Sequence, residues 1–311
     1  MTILIVGAGA TGGYFGARLA QAGRDVTFLV RPRRAAQLRE RGLRIVGPGA
    51  DADARKAIHP KLAVAGELTE PADVVLLSVK ATGLDQAIAD FAPAVGPRTA
   101  VVPFLNGMAH LDVLNRRFGE PAVFGGVVLI ATQLNDEGDI VQQLSPPASL
   151  TTGTQDGART TQLQAVYDQL SGAGFDLTIS DEIIARMWQK WVFLATIGAL
   201  TCLMRGTVGE IVAVPGGSDL GPAILAEACA VSAAAGYPVP ADVIASTTKT
   251  ITQAGSAANS SMSRDVAQGR PAEVEQVLAD LARRGAGHGI KTPLFDLATM
   301  QLRVYNNSLR G

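Results

Sequence analysis

Cysteine and histidine are scarce in this chain of 311 residues, with two of the first and three of the second. Cys202 and Cys229 both lie in apolar stretches, which reads as small buried residues rather than a disulfide or a thiolate metal site and suits a reducing compartment. His59, His110 and His288 sit in unrelated contexts, and no H-E-x-x-H, C-x-x-C or G-x-S-x-G pattern occurs. Metal-assisted hydrolysis and serine-nucleophile chemistry therefore have no candidate residues, and no metal site is expected. Excess charge is missing as well: 27 basic residues stand against 28 acidic ones. Such a balance gives no broad field for nucleic acid or for an anionic membrane surface, so any anion must be bound locally. The longest apolar candidate for a bilayer span, WVFLATIGALTCLM at 191–204, falls short of the ~18–20 residues required and reads as a helix buried in a protein core. No basic leader precedes the apolar TILIV, itself too short for a signal-peptide core, and the expectation is a cytoplasmic protein.

What is present is an alternation. Apolar runs ILIV (3–6), VTFLV (26–30), LAVA (62–65), VVLLSV (74–79), TAVVPF (99–104) and VFGGVVLI (123–130) are spaced by helix-like segments. Continuous apolar runs of this kind predict a largely parallel sheet covered on both faces, a doubly wound α/β domain of Rossmann type. Between 135 and 153, DIVQQL and ASLTTG suggest shorter strands, read as an antiparallel pair at the sheet edge. Helical periodicity takes over from about 160, in TQLQAVYDQLSGAG, DEIIARMWQKWVFLATIGALTCL, LGPAILAEACAVSAAAG and AEVEQVLADLARRGAGHG. The expected organisation is a dinucleotide-binding domain over 1–170 and an all-helical domain over 171–311, with a cleft between them. A homodimer is left open, since long apolar helices such as 223–235 pack equally well within a subunit or between two.

Gly7, Gly9 and Gly12 form G-x-G-x-x-G directly after a strand and before a helix, the context of a dinucleotide-binding turn. The first glycine permits the tight turn, the second admits a pyrophosphate, and the third lets helix pack on strand. The free N–H groups at the helix start, Ala10 and Thr11 among them, face the anion. The next strand is followed by Arg31 in RPRR, and no carboxylate appears from 26 until Glu40. A guanidinium suits a 2′-phosphate where a carboxylate would suit a ribose hydroxyl, so NADP(H) is expected over NAD(H).

Lys80 ends the strand VVLLSVK and Asn106 follows another in PFLNGM; in an open α/β sheet such strand ends border the ligand crevice. Lys190 stands in an otherwise apolar segment, where an ammonium is costly unless it reaches a cleft or a partner, or snorkels to water. With these residues in view a family resemblance emerges. GAGATG (7–12), SVKA (78–81), LNGM (105–108), MWQK (187–190), NSSM (259–262) and PAEVE (271–275), in this order, resemble the ketopantoate reductase (2-dehydropantoate 2-reductase) family nearly end to end. The resemblance implies NADPH-dependent reduction of a 2-oxo acid in the pantothenate pathway, by an N-terminal Rossmann domain with a helical C-terminal domain. It makes Lys190 the catalytic lysine and Glu273 the acidic residue that holds the substrate's hydroxyl. Ser261 would bind the substrate carboxylate, with Asn106 and Lys80 near nicotinamide and substrate. Glu275 is a neighbouring rival to Glu273, and Ser260 an alternative to Ser261.

The resemblance breaks one and two turns beyond the lysine. The family pattern has substrate-binding asparagines there; this chain has Leu194 and Gly198. Leucine offers a hydroxyl no partner, so the substrate is expected to differ or to find a replacement at Thr201, three turns from Lys190. Two classes of function stay open: a reductase of ketopantoate or another 2-oxo acid, and a non-catalytic NADP(H)-binding protein.

Overall fold

The computed structural model describes residues 1–144 and 146–309. Five of the six apolar runs of the first half become the strands Lys61–Ala63, Asp25–Leu29, Thr2–Val6, Ala72–Leu77 and Val95–Pro103, side by side in that order and all parallel, while the sixth, 123–130, enters another sheet. Thr2–Val6 is central: Ile3 pairs with Val26 on one side and Val74 on the other, and Ile3, Ile5, Val74 and Leu76 are almost wholly buried. Burial on both faces is what a continuous branched apolar run is built for. Phe15, on the first helix (Ala10–Gln21), packs edge-on against Phe104 and Phe175 with ring centroids 5.2 and 4.7 Å away.

Two three-stranded sheets accompany this one. Phe124–Leu129 runs antiparallel to Ser149–Thr154, which runs parallel to Asp176–Ile179; Thr132–Leu134 runs antiparallel to Ile140–Gln142, which runs parallel to Ile45–Val46. The segments 135–153 are thus strands, but Ile140–Gln142 and Ser149–Thr154 belong to different sheets and do not pair with each other. Each finds its antiparallel partner earlier in the chain.

The chain divides into two compact units, one of 1–105 and 110–184, the other of 106–109 and 185–311. Residues 171–184, read from sequence with the helical domain, lie in the first unit, because Asp176–Ile179 extends one of its sheets. The second unit is helical, as expected: Ile183–Met204, Val208–Val212, Gly217–Ala234, Ala241–Ile251, Ser261–Ala267, Asp280–Gly287 and Pro293–Ser308, with a π-helical turn at Glu275–Ala279. Helix Ile183–Met204 is longer than the run that announced it and, by length and composition alone, could cross a membrane; 67% of its most apolar window is buried inside the protein, the mark of a core helix. Trp191 on that helix is buried and donates its indole N–H to the Val277 carbonyl at 2.9 Å. The N–H groups of Leu294 and Phe295, at the start of the last helix, are received by the Glu227 carboxylate at 3.1 and 3.2 Å.

Candidate active site

In the first unit the glycine turn has a shape that its sequence requires. Gly7 takes a φ of 97°, and a Cβ there would stand 2.5 Å from the Ser78 carbonyl oxygen. A Cβ on Gly12 would stand 2.3 Å from the Gly7 oxygen, so both positions are closed to a side chain. Gly9 is different: nothing lies within 4 Å of its would-be Cβ. It caps helix Ala10–Gln21, whose first turn carries no acidic residue, so Ala10 and Thr11 present backbone N–H groups that no helical carbonyl takes up. An open backbone face above free donors at a helix N-terminus fits a pyrophosphate.

Arg31 immediately precedes helix Pro32–Arg41 and is exposed; its Nη2 lies 3.4 Å from where Gly83 would carry a Cβ, so its guanidinium lies along the short turn Ala81–Gly83 that follows exposed Lys80. Arg34, in the same basic block, has another fate. It donates to the carbonyls of Ala8 at 3.2 Å and Gly138 at 3.0 Å and to Gln37 Oε1 at 2.6 Å, and burial lowers its pKa. One arginine of RPRR therefore ties down the glycine turn itself. Sequence reasoning missed this, since nothing in RPRR distinguishes Arg34 from its neighbours and its partners Ala8 and Gly138 are distant in the chain.

In the second unit, Asn106, Leu194, Ser260, Ser261, Met262, Asp265, Glu273 and Val277 line one pocket. Asn106, Ser261 and Glu273, far apart in sequence, line it together. Lys190, Lys80 and Arg31 are not among its walls. Lys190 sits one turn before Leu194 on helix Ile183–Met204, half-buried, and burial pulls its pKa down to about 8. At that value the ammonium still predominates at pH 7 but parts with its proton far more readily than an exposed lysine.

The family profile of ketopantoate reductase PanE/ApbA matches residues 3–157, and that of its C-terminal domain matches residues 182–306. The chain belongs to the ketopantoate reductase family. As a member it is an oxidoreductase. It is similar to the uncharacterized oxidoreductase YkpB of Bacillus subtilis, 32% identical over 98% of this chain and 99% of that one. The 2-dehydropantoate 2-reductase of Mesorhizobium japonicum is 27% identical over 97% of each. Two solved structures share the fold over the whole of both chains: a ketopantoate reductase of Ralstonia eutropha (TM-score 0.88, 24% identity) and a D-mandelate dehydrogenase bound to NADH and anilino(oxo)acetate (TM-score 0.87, 22% identity).

Several residues of this ketopantoate reductase family member are already committed to the fold. Thr201, a candidate replacement donor, is fully buried; its hydroxyl donates to the Ile197 carbonyl at 2.6 Å and meets Ser260 Oγ at 2.9 Å. It is a pin between two helices and offers the pocket nothing. Ser260 caps helix Ser261–Ala267, accepting from the Ser263 N–H at 2.9 Å, whereas Ser261 begins that helix exposed at the pocket wall. Glu275 is held by Arg303 through two bonds of 2.8 and 2.7 Å, and that partner lowers its pKa. Burial pushes the Cys202 thiol up to about 12, which leaves it an inert core residue.

Proposed function

We propose that this protein reduces a 2-oxo acid to the corresponding 2-hydroxy acid with NADPH, ketopantoate being the leading substrate. The observation that carries this reading is the placement of Lys190, a half-buried lysine with a pKa near 8, one helical turn from a pocket that holds a carboxylate, an amide and an exposed serine. Reduction of a ketone develops negative charge on the carbonyl oxygen, and a cation stabilises that charge and delivers the proton. Lys190 takes this role. Ser261 donates its hydroxyl to the substrate carboxylate and Asn106 its side-chain amide, while Glu273 accepts from a substrate hydroxyl. When bound, the dinucleotide would supply the hydride. Gly9, Ala10 and Thr11 would receive its pyrophosphate, Arg31 its 2′-phosphate, with Lys80 beside them at the strand end.

A second reading within the same chemistry is a different 2-oxo acid, favoured by the apolar Leu194 in the pocket wall. The test is NADPH oxidation against a panel of 2-oxo acids that includes ketopantoate. Turnover of at least one acid is expected; tight NADPH binding with no turnover of any would point instead to a non-catalytic dinucleotide-binding protein.

A further inference from the structure

The pocket in the helical unit is lined by two unlike kinds of residue. Asn106, Ser260, Ser261, Asp265 and Glu273 are its polar lining, and Leu194, Met262 and Val277 its apolar lining. Along helix Ile183–Met204 the residues on the Lys190 face are Leu194, Gly198 and Thr201. After the ammonium, that face offers no group free to bond a ligand: Leu194 has none, Gly198 has no side chain, and the Thr201 hydroxyl is spent on Ile197 and Ser260. The space above Gly198 is taken by Met262, whose terminal methyl would lie 2.7 Å from a Cβ built at Gly198. Met262 is itself a wall of the pocket, so its flexible thioether fills a niche that the glycine leaves vacant.

Resting on the reading of the protein as a 2-oxo acid reductase, we propose that Met262, seated over Gly198, sets the size limit of the substrate pocket, and that the Leu194–Met262–Val277 wall selects a branched alkyl side chain on the 2-oxo acid. A wall without donors or acceptors penalises a polar group laid against it, and a methionine seated in a glycine niche is the most adjustable boundary such a wall has. The two residues predict opposite changes. Met262→Ala opens the niche and lengthens the pocket. Gly198→Ala places a methyl where the Met262 methyl sits, drives the thioether toward the pocket, and shortens it.

The experiment compares kcat/KM with saturating NADPH for pyruvate, 3-methyl-2-oxobutanoate and phenylglyoxylate. The wild type is expected to prefer the branched acid. Met262→Ala should raise phenylglyoxylate relative to the branched acid by about tenfold or more, and Gly198→Ala should shift preference toward pyruvate by a similar factor, as pocket changes of a few carbons do. Met262→Leu keeps the bulk and should keep the wild-type order. Calorimetric affinities of the NADPH-bound protein for unreactive N-alkyl and N-aryl oxamates, compared between variants of unchanged melting temperature, report the same size preference without turnover. If the wild type reduces no 2-oxo acid, the functional reading falls, and the oxamate series still decides the pocket. Size preferences that stay within about twofold across folded Met262→Ala and Gly198→Ala proteins, in both assays, overturn the proposal.

Discussion

Lys190 carries two opposed effects that one side chain makes separable. As the proposed proton donor it should be indispensable: Lys190→Ala is expected to lower kcat by about 10²–10⁴ while leaving NADPH affinity nearly unchanged, measured by steady-state kinetics and a cofactor titration. Because its pKa is pulled down to about 8, the reduction rate at saturating substrates should hold steady below that pH and fall above it, as the donor loses its proton. Stability moves the other way. Between about 8 and the ordinary 10.5 of an unfolded lysine the unfolded chain binds more protons, so unfolding free energy rises with pH across that window and the burial cost is felt in full below it. Lys190→Met removes that cost and is expected to stabilise the protein by ~1–2 kcal/mol at pH 7 in urea titrations, the shift being discounted for partial solvent screening, while abolishing turnover. The pairing of lost activity with gained stability marks a group kept for chemistry; a Met variant less stable than the wild type would show that the ammonium is held by a structural partner instead.

At the scale of elements, the inner strands of the parallel sheet were legible because they are largely buried and so read as apolar runs. The strands Ile45–Val46, Thr132–Leu134 and Asp176–Ile179 were not, the first being only two residues long and the others short and part-exposed. The π-helical turn at Glu275–Ala279 was equally hidden: nothing in EVEQVLAD breaks helical periodicity, and its Val277 carbonyl is engaged by Trp191, a tertiary contact. Trp191→Phe leaves that carbonyl without its donor and is expected to destabilise the protein by ~1–3 kcal/mol and to raise KM for the oxo acid more than it lowers kcat, since Val277 is a pocket wall. The two arginines around the glycine turn separate in the same manner. Arg34 holds the Ala8 carbonyl, so Arg34→Ala should weaken NADPH and NADH together by about 1 kcal/mol or more, read by fluorescence titration. Arg31→Ala should weaken NADPH alone.

For the molecule as a whole, the chain order conceals which residues share a unit. Asn106 follows a strand of the dinucleotide-binding sheet, the position that places it at that sheet's crevice by sequence, while 106–109 cluster with the helical unit and Asn106 lines one pocket with Glu273. The family motifs brought Asn106, Ser261 and Glu273 forward; no local pattern could have joined them, because the residues that line this pocket are spread over more than half the chain. At this scale the proposed preference for NADPH rests on the absence of a carboxylate after the second strand and the presence of Arg31. That choice has a global readout, since a ligand bound only by the folded chain adds RT ln(1 + [L]/Kd) to its unfolding free energy, ~2.7 kcal/mol at about a hundred times Kd. At equal concentrations NADPH should therefore raise the melting temperature more than NADH does, and the difference should vanish in Arg31→Ala while the smaller shift common to both nucleotides persists through the glycine turn. Equal shifts by the two nucleotides in the wild-type protein would remove Arg31 from the 2′-phosphate and leave the turn as the sole anchor of the cofactor.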